Sequence, residues 1–183
     1  MVIDLKKVHI TTQIYKIVVA NNSNLLDLWL QHIVFSWRWW LQLGLSIIPW
    51  IIWIKIRDKN NTVRLLFIGF IIMLIANTLD IIGLCYGLWY YDWKVLPFTP
   101  VYIPWDLTLV PVSFMLLMQY KQNLNKYIKA LGFSFIISFI VEPFFSWLSI
   151  YEPLRWKYWY SFISYFILYL AIDKIYNCKL FKN

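Results

Sequence analysis

Apolar residues in this chain come in long runs, and most charged residues fall between the runs. A helix needs roughly 20 apolar residues, within a range of about 17–25, to cross a hydrocarbon core of about 30 Å. Five runs reach that length, at about 36–54, 65–90, 103–120, 130–150 and 156–172. The first closes on the basic loop Lys55-Ile-Arg57-Asp-Lys59, and the second carries the single charge Asp80. The third begins among Pro97, Pro100 and Pro104 with Asp106 near its start, and the fourth contains Glu142-Pro143. Leu25 to Trp37 has a different pattern. Leu26, Trp29, Leu30, Ile33, Val34 and Trp37 recur at helical spacing with Asp27, Gln31 and His32 between them. That predicts an amphipathic helix lying in the membrane interface, or a lower part of the first span. Residues 1–24 are too polar to span and show neither the apolar core nor the cleavage site of a signal peptide. The pattern predicts an all-α integral membrane bundle of about five transmembrane helices plus an N-terminal interfacial amphipathic helix. Its parts are a polar and amphipathic segment (1–35), the bundle (36–173) and a basic cytoplasmic tail (174–183).

Composition agrees with that class. Of 183 residues, 61% are apolar, 21% aromatic and 14% charged, and the mean hydropathy is +0.60. A soluble domain carries about 25% charged and roughly 45–50% apolar residues. A soluble enzyme, a disordered chain and a secreted disulfide scaffold are therefore excluded. The net charge of +8 does not indicate nucleic acid as a partner, because the basic residues sit in short loops, where orientation and anionic headgroups favour them. Ten of the 17 Lys and Arg fall on one side: Lys55, Arg57, Lys59, Arg64, Lys121, Lys126, Lys129, Lys174, Lys179 and Lys182. Arg38, Lys94, Arg155, Lys157, Lys6, Lys7 and Lys16 fall on the other. This bias predicts a plasma-membrane protein with its N-terminus outside and its C-terminus in the cytoplasm.

Cys85, inside an apolar run, reads as a small buried residue and Cys178 as a reduced tail thiol. His9 and His32 have no ligand spacing around them, so no metal site is expected. Gly-rich phosphate loops, nucleophile elbows and His-Glu-x-x-His are absent from the sequence, which implies no cofactor.

The candidate chemistry lies in three acids within the spans, Asp80, Asp106 and Glu142. At about 1.5 Å per residue, all three fall at depths of roughly 7–16 Å from the outer surface. Each costs on the order of 2.5–3.5 kcal/mol in mid-helix, so they must be paired, protonated or hydrated. Asp106, after Pro104 in a first turn, suits a capping role. Glu142 beside Pro143 suits a hydrogen bond to a Tyr or Trp next to a proline kink. Asp80 lies with Asn77, Leu84 and Gly87 on one face, and Gly83 and Gly87 form a small-xxx-small pattern that allows close helix packing. These acids are the candidate catalytic groups. Together with Trp89, Trp105 and Arg38 they are also the candidate ligand-binding set, with Arg38 placed to reach Asp80 or Asp106. Trp50 and Trp53 fall at the inner end, and the other ten tryptophans fall at or near the outer end. That pattern fits either one heavy aromatic belt or an aromatic-lined cavity opening outward.

Asp80-Ile-Ile-Gly83, Gly87-Leu-Trp89-Tyr90, Pro104-Trp-Asp106, Gln119-Tyr120, Glu142-Pro143 and the run from Tyr151 to Trp156-Lys157 resemble a family of small polytopic membrane proteins of spore-forming Gram-positive bacteria. The resemblance covers most of the chain after Ser36 and implies a plasma-membrane location. Over about 20 residues, Gly87-Leu-Trp89 followed by Pro104-Trp-Asp106-Leu107 is similar to the membrane domain of lycopene cyclases. Asp106 stands for the first acid of that family's Pro-x-Glu-Glu motif, and Leu107 replaces the second. Three functions are expected from these features. The leading one is a non-catalytic bundle that binds a lipid, an isoprenoid, a membrane-protein partner or a second copy. The others are an acid-catalysed enzyme on an isoprenoid or other lipid, and a proton- or cation-coupled carrier.

Overall fold

The computed structural model describes residues 5–120 and 123–178, with side chains from residue 11 onward. The side chains of Lys6, Lys7 and His9, and the residues Lys121, Lys179 and Lys182, lie outside the described residues. The described chain is almost entirely helical. Its helices are α1 (Leu5–Leu28), α2 (Trp37–Ile56), α3 (Thr62–Cys85), α4 (Trp105–Gln119), α5 (Lys126–Trp147) and α6 (Tyr158–Tyr176). Two three-residue strands, β1 (Trp89–Tyr91) and β2 (Tyr151–Pro153), pair antiparallel with Tyr90 opposite Glu152. By length and composition, α2, α3 and α5 are able to cross a membrane.

Consecutive helices from α2 to α6 alternate in direction. At one end the Trp39 indole donates to the Val95 carbonyl (3.1 Å), the Arg38 guanidinium donates to the Leu148 carbonyl (3.1 Å), and β1 meets β2. At the other end the Gln119 amide donates to the Ile56 carbonyl (3.2 Å), and Arg64 lies over the Tyr176 ring. α3 packs on α4, and α5 packs on α6. Leu65, Ile68, Gly69 and Ile72, at helical spacing, give α3 its buried face against Phe114 and Met115 of α4, while Leu66, Phe67, Phe70 and Leu74 point outward. Apolar residues on both faces are what a helix between protein and lipid requires.

Several boundaries differ from the sequence pattern, each for a local reason. The amphipathic stretch 25–37 is not one helix. Helical turns continue through Ile33, Phe35 takes a positive φ of 63°, and Ser36 caps α2 by accepting from the Trp39 N–H (3.2 Å). The run 65–90 is not one span either, since α3 stops at Cys85. Gly87, at φ 61°, is the left-handed residue after the helix. Its N–H bonds to the Leu84 carbonyl (3.1 Å) and the Leu88 N–H to the Gly83 carbonyl (2.9 Å), the paired closure of a glycine-terminated helix. Gly87 is thus a helix stop and not a packing residue, and Cys85 beside it is exposed and not buried.

Prolines leave a second mark. Pro111 and Pro143 lack the N–H that a helix needs, and each follows a wide π-helical turn, Trp105–Leu109 and Ile137–Val141. The Leu107 carbonyl, which Pro111 cannot satisfy, accepts from the Trp50 indole (3.0 Å) and so ties α2 to α4. The bend expected at Pro143 is taken up in the same way, with the Glu142 N–H reaching back to the Ile137 carbonyl. Between α2 and α3, the Asn61 amide (2.6 Å) and the Asn60 N–H (3.0 Å) hold the Asp58 carboxyl below its usual range. That stabilisation is present above the ordinary carboxylate pKa and is lost as pH falls through the lowered one.

A Cβ at Gly69 would sit 2.8 Å from Met115 Sδ in the α3–α4 contact, whereas one at Gly132 would meet nothing within 4 Å. Gly69→Val is expected to destabilise the bundle by about 1–3 kcal/mol through overpacking. Gly132→Ala is expected to be neutral or to stabilise by up to about 1 kcal/mol. Thermal unfolding in mild detergent, followed by circular dichroism, checks both.

Candidate functional site

Asp80 ends up at a junction of four segments because three donors converge on it. Its Oδ1 accepts from the Trp89 indole (2.8 Å) and the Tyr91 hydroxyl (2.8 Å), both of β1, and its Oδ2 accepts from the Tyr102 N–H (3.3 Å). The same N–H is shared with Asp106 Oδ2 (3.1 Å), four residues further on in the first turn of α4. The expected capping role of Asp106 is therefore real, but the acid reaches back to the backbone before the helix, as a capping-box acid does. The carboxyls of Asp80 and Asp106 are thus brought side by side around one N–H.

Aromatic rings lock this arrangement. Tyr91 stacks on Tyr102 with centroids 4.1 Å apart and planes 8° from parallel, and Trp89 meets Trp156 edge-on at 5.1 Å. The Leu88 carbonyl accepts from the N–H groups of Leu154 (2.9 Å), Arg155 (2.9 Å) and Trp156 (3.2 Å), which fastens the β1 loop to the β2 loop. Gly83 serves the indole, because any Cβ there would fall within the Trp89 ring. The close approach expected of Gly83 is thus to a side chain and not to another helix.

Glu142, one wide turn into the second half of α5, is hydrogen-bonded to Ser161 of α6. The Ser161 hydroxyl itself accepts from the Trp156 indole (2.8 Å). The partner of Glu142 is therefore a serine that relays to a tryptophan, not a Tyr or Trp directly. Glu142 Oε2 has no protein partner and is buried.

Asp80, Asp106, Glu142, Trp89 and Trp105 all line one cavity of about 500 Å³. Arg38 does not. It donates to the Leu148 carbonyl, lies between the rings of Trp37 and Trp93 (4.8 and 4.7 Å), and faces Asp92. A guanidinium sandwiched between indoles is held at the end of the bundle and does not reach the buried acids. The cation facing the Asp80–Asp106 pair is Lys94, whose ammonium donates to the Thr99 carbonyl (3.1 Å). Burial pushes this ammonium down, and the two acids favour its charged form. Tyr91, Tyr102, Tyr151, Trp156, Ser161 and Tyr165 also belong to the cavity, and sequence alone does not single them out. Tyr165 is placed by a hydrogen bond from the Trp105 indole (2.9 Å). The aromatic run Trp89-Tyr90-Tyr91 is the one readable signal among them, since in a strand it turns Trp89 and Tyr91 to the same side.

The cavity opens sideways, not outward. Its rim residues Leu79 (50% exposed) and Ile82 (45%) on α3 and Ile167 (61%) on α6 face away from the bundle. Small residues leave the space between the two helices unfilled there, Ala76 on one flank and Ser161, Ser164 and Ala171 on the other. The result is a slot in an apolar wall, with acids and aromatics at its closed side.

No protein-family model, no curated protein and no solved structure matches the chain.

The site gives a graded prediction. Asp80→Ala leaves the Trp89 and Tyr91 donors without an acceptor, at about 1–3 kcal/mol for each buried group left unpaired, while the Tyr102 N–H keeps Asp106. Asp80→Asn keeps the Oδ1 acceptor and adds an N–H able to donate to Asp106. Asp80→Asn is expected to remain folded within about 1 kcal/mol of wild type, and Asp80→Ala to lose more than about 3 kcal/mol. Thermal unfolding of the two purified variants distinguishes these outcomes.

Proposed function

We propose that this chain is a polytopic plasma-membrane protein whose α3–α6 slot takes up the apolar chain of a membrane lipid or isoprenoid, holding its polar end beside Asp80, Asp106 and Glu142. The observation that carries the reading is the slot itself. A cavity of about 500 Å³ falls within the roughly 300–1,000 Å³ of ordinary ligand sites. Its rim is apolar and turned outward, so the ligand source that fits it is the bilayer. The role is binding, and the acids and aromatics organise the bundle around the ligand.

Five spans belong to this reading. α4 rises about 22 Å and α6 about 28 Å at 1.5 Å per residue, and both alternate in direction with their neighbours. The shortfall of α4 is met by the loop before it, whose Val95, Pro97 and Tyr102 are buried in protein, the condition under which irregular backbone is tolerated at membrane depth. Lys55, Arg57, Lys59, Arg64, Lys126, Lys129 and Lys174 gather at the end remote from the strands, which supports an outside N-terminus and a cytoplasmic C-terminus.

A second reading, acid-catalysed chemistry on an isoprenoid, is favoured by one observation. Leu107 removes the second acid of the lycopene-cyclase-like motif, yet Asp80 of α3 brings a carboxyl against Asp106 from another helix. Two carboxyls side by side and aromatic faces next to them are the equipment for protonating a polyene and stabilising the cation formed.

Native mass spectrometry of protein purified in mild detergent tests the binding role. Wild type is expected to retain a discrete lipid, and both Ile167→Trp, which fills the rim, and the Asp80→Asn/Glu142→Gln double variant are expected to retain much less. Wild type and variants that are equally empty would overturn the reading. A bound isoprenoid that comes back rearranged, with deuterium from heavy water, would move the assignment to the enzyme. Orientation is checked with single cysteines on a Cys85→Ser/Cys178→Ser background. Asn123→Cys is expected to resist a membrane-impermeant thiol reagent in intact cells, and Leu154→Cys to react.

A further inference from the structure

We infer that the ligand of the α3–α6 slot is a lipophilic cation: an amine or quaternary ammonium on an apolar chain, with its positive head at Glu142. The inference deepens the binding role proposed above and rests on the slot receiving a membrane amphiphile at all.

Charge accounting excludes the other heads. Among the described residues, three acids line the cavity and no Lys, Arg or His does. An anionic head, a phosphate or carboxylate, would enter beside carboxyls with no cation to meet it, at several kcal/mol of like-charge cost in a desolvated site. Of the three acids, Asp80 and Asp106 already accept from Trp89, Tyr91 and Tyr102, and face Lys94. Glu142 is different. It is 7% exposed, one of its oxygens is served by Ser161, and Oε2 has no protein partner. The Tyr102 hydroxyl, on a residue 1% exposed that also lines the cavity, has none either. The Glu142 carboxyl thus lines the cavity with one oxygen that no donor among the described residues serves, and a positive head in the cavity would set a compensating charge against it.

The walls suit the same head. Trp105 packs edge-on against Phe145 (5.4 Å), the Trp105 indole is committed to Tyr165, and Tyr151 is buried beside them. These rings present π faces and edges around Glu142 with few free donors, the composition that recognises ammonium groups. A neutral alcohol would gain one hydrogen bond from Glu142 and nothing from the rings. Beyond the head, Leu79, Ile82 and Ile167 offer the chain an apolar path to the bilayer.

Three probes with one chain length separate the heads: dodecyltrimethylammonium, dodecanol and dodecanoate. Each is titrated onto delipidated wild type in an uncharged detergent and counted by native mass spectrometry, beside Glu142→Gln and Ile167→Trp. Wild type is expected to bind one dodecyltrimethylammonium at least about tenfold more tightly than either other probe. Glu142→Gln is expected to lose that preference while still taking dodecanol, and Ile167→Trp to weaken all three. Dodecanol or dodecanoate bound as tightly as the ammonium overturns the cationic head and leaves a lipid site standing. A preference that survives in Glu142→Gln overturns the role of Glu142. Binding of no probe above the Ile167→Trp background would instead remove the lipid-binding role itself. Because the probe ranking is read on wild type, the head-group assignment stays falsifiable even if Glu142→Gln fails to fold.

Discussion

The hydrogen bonds that converge on Asp80 set the architecture of one whole end of the bundle. A carboxyl in the last third of an apolar helix must find donors, and its own helix has none to spare. The next segment of the chain supplies them. α3 stops at Cys85, the chain reverses at Gly87 into β1, and Trp89 and Tyr91 reach back to the carboxyl. The Leu88 carbonyl then gathers three N–H groups from the loop after α5, which brings β2 alongside and sets the start of α6. Asp106 joins through the shared Tyr102 N–H, so the start of α4 is positioned by the same group.

The helices that present the other acids are shaped by proline. In α4 and α5 a wide turn lies just before Pro111 and Pro143, and each places an acid on or beside that turn, Asp106 in the first and Glu142 immediately after the second. A wide turn rotates later side chains relative to a regular helix, and such turns are frequent at functional sites. One freed carbonyl, that of Leu107, is recovered by the Trp50 indole. The slot arises from the complementary feature. Small residues on facing flanks of α3 and α6 leave a volume that no side chain of the protein fills, and the outward turn of Leu79, Ile82 and Ile167 gives it an apolar mouth.

Aromatic side chains connect the two. By position in the sequence, ten tryptophans at one end fit an interface belt and a cavity lining equally well, and the structure divides them. Trp37 and Trp93 hold Arg38, Trp29 and Trp39 donate to the Lys94 and Val95 carbonyls, and Trp89, Trp105 and Trp156 line the slot. Indole suits all three jobs because it combines a large apolar face with one N–H donor.

By itself the sequence determined the helical membrane character, the unequal distribution of basic residues and the three acids that would need partners. These depend on quantities summed along the chain: run length against bilayer thickness, charge per loop and the cost of a charge in hydrocarbon. It also marked Trp89 and Trp105 as neighbours of the acids. The tertiary structure alone decided which groups satisfy which acid. Asp80 and Asp106, 26 residues apart, share the Tyr102 N–H, and the Glu142–Ser161 contact joins two helices across a β-stranded loop. Arg38, the attractive partner on charge grounds, is held elsewhere by two indoles and a carbonyl. Hydrogen bonds depend on direction and on distances of about 3 Å, and periodicity along a helix fixes neither between segments. The slot is likewise a property of two flanks facing each other, so small residues on α3 and α6 had no visible meaning until the fold set them opposite.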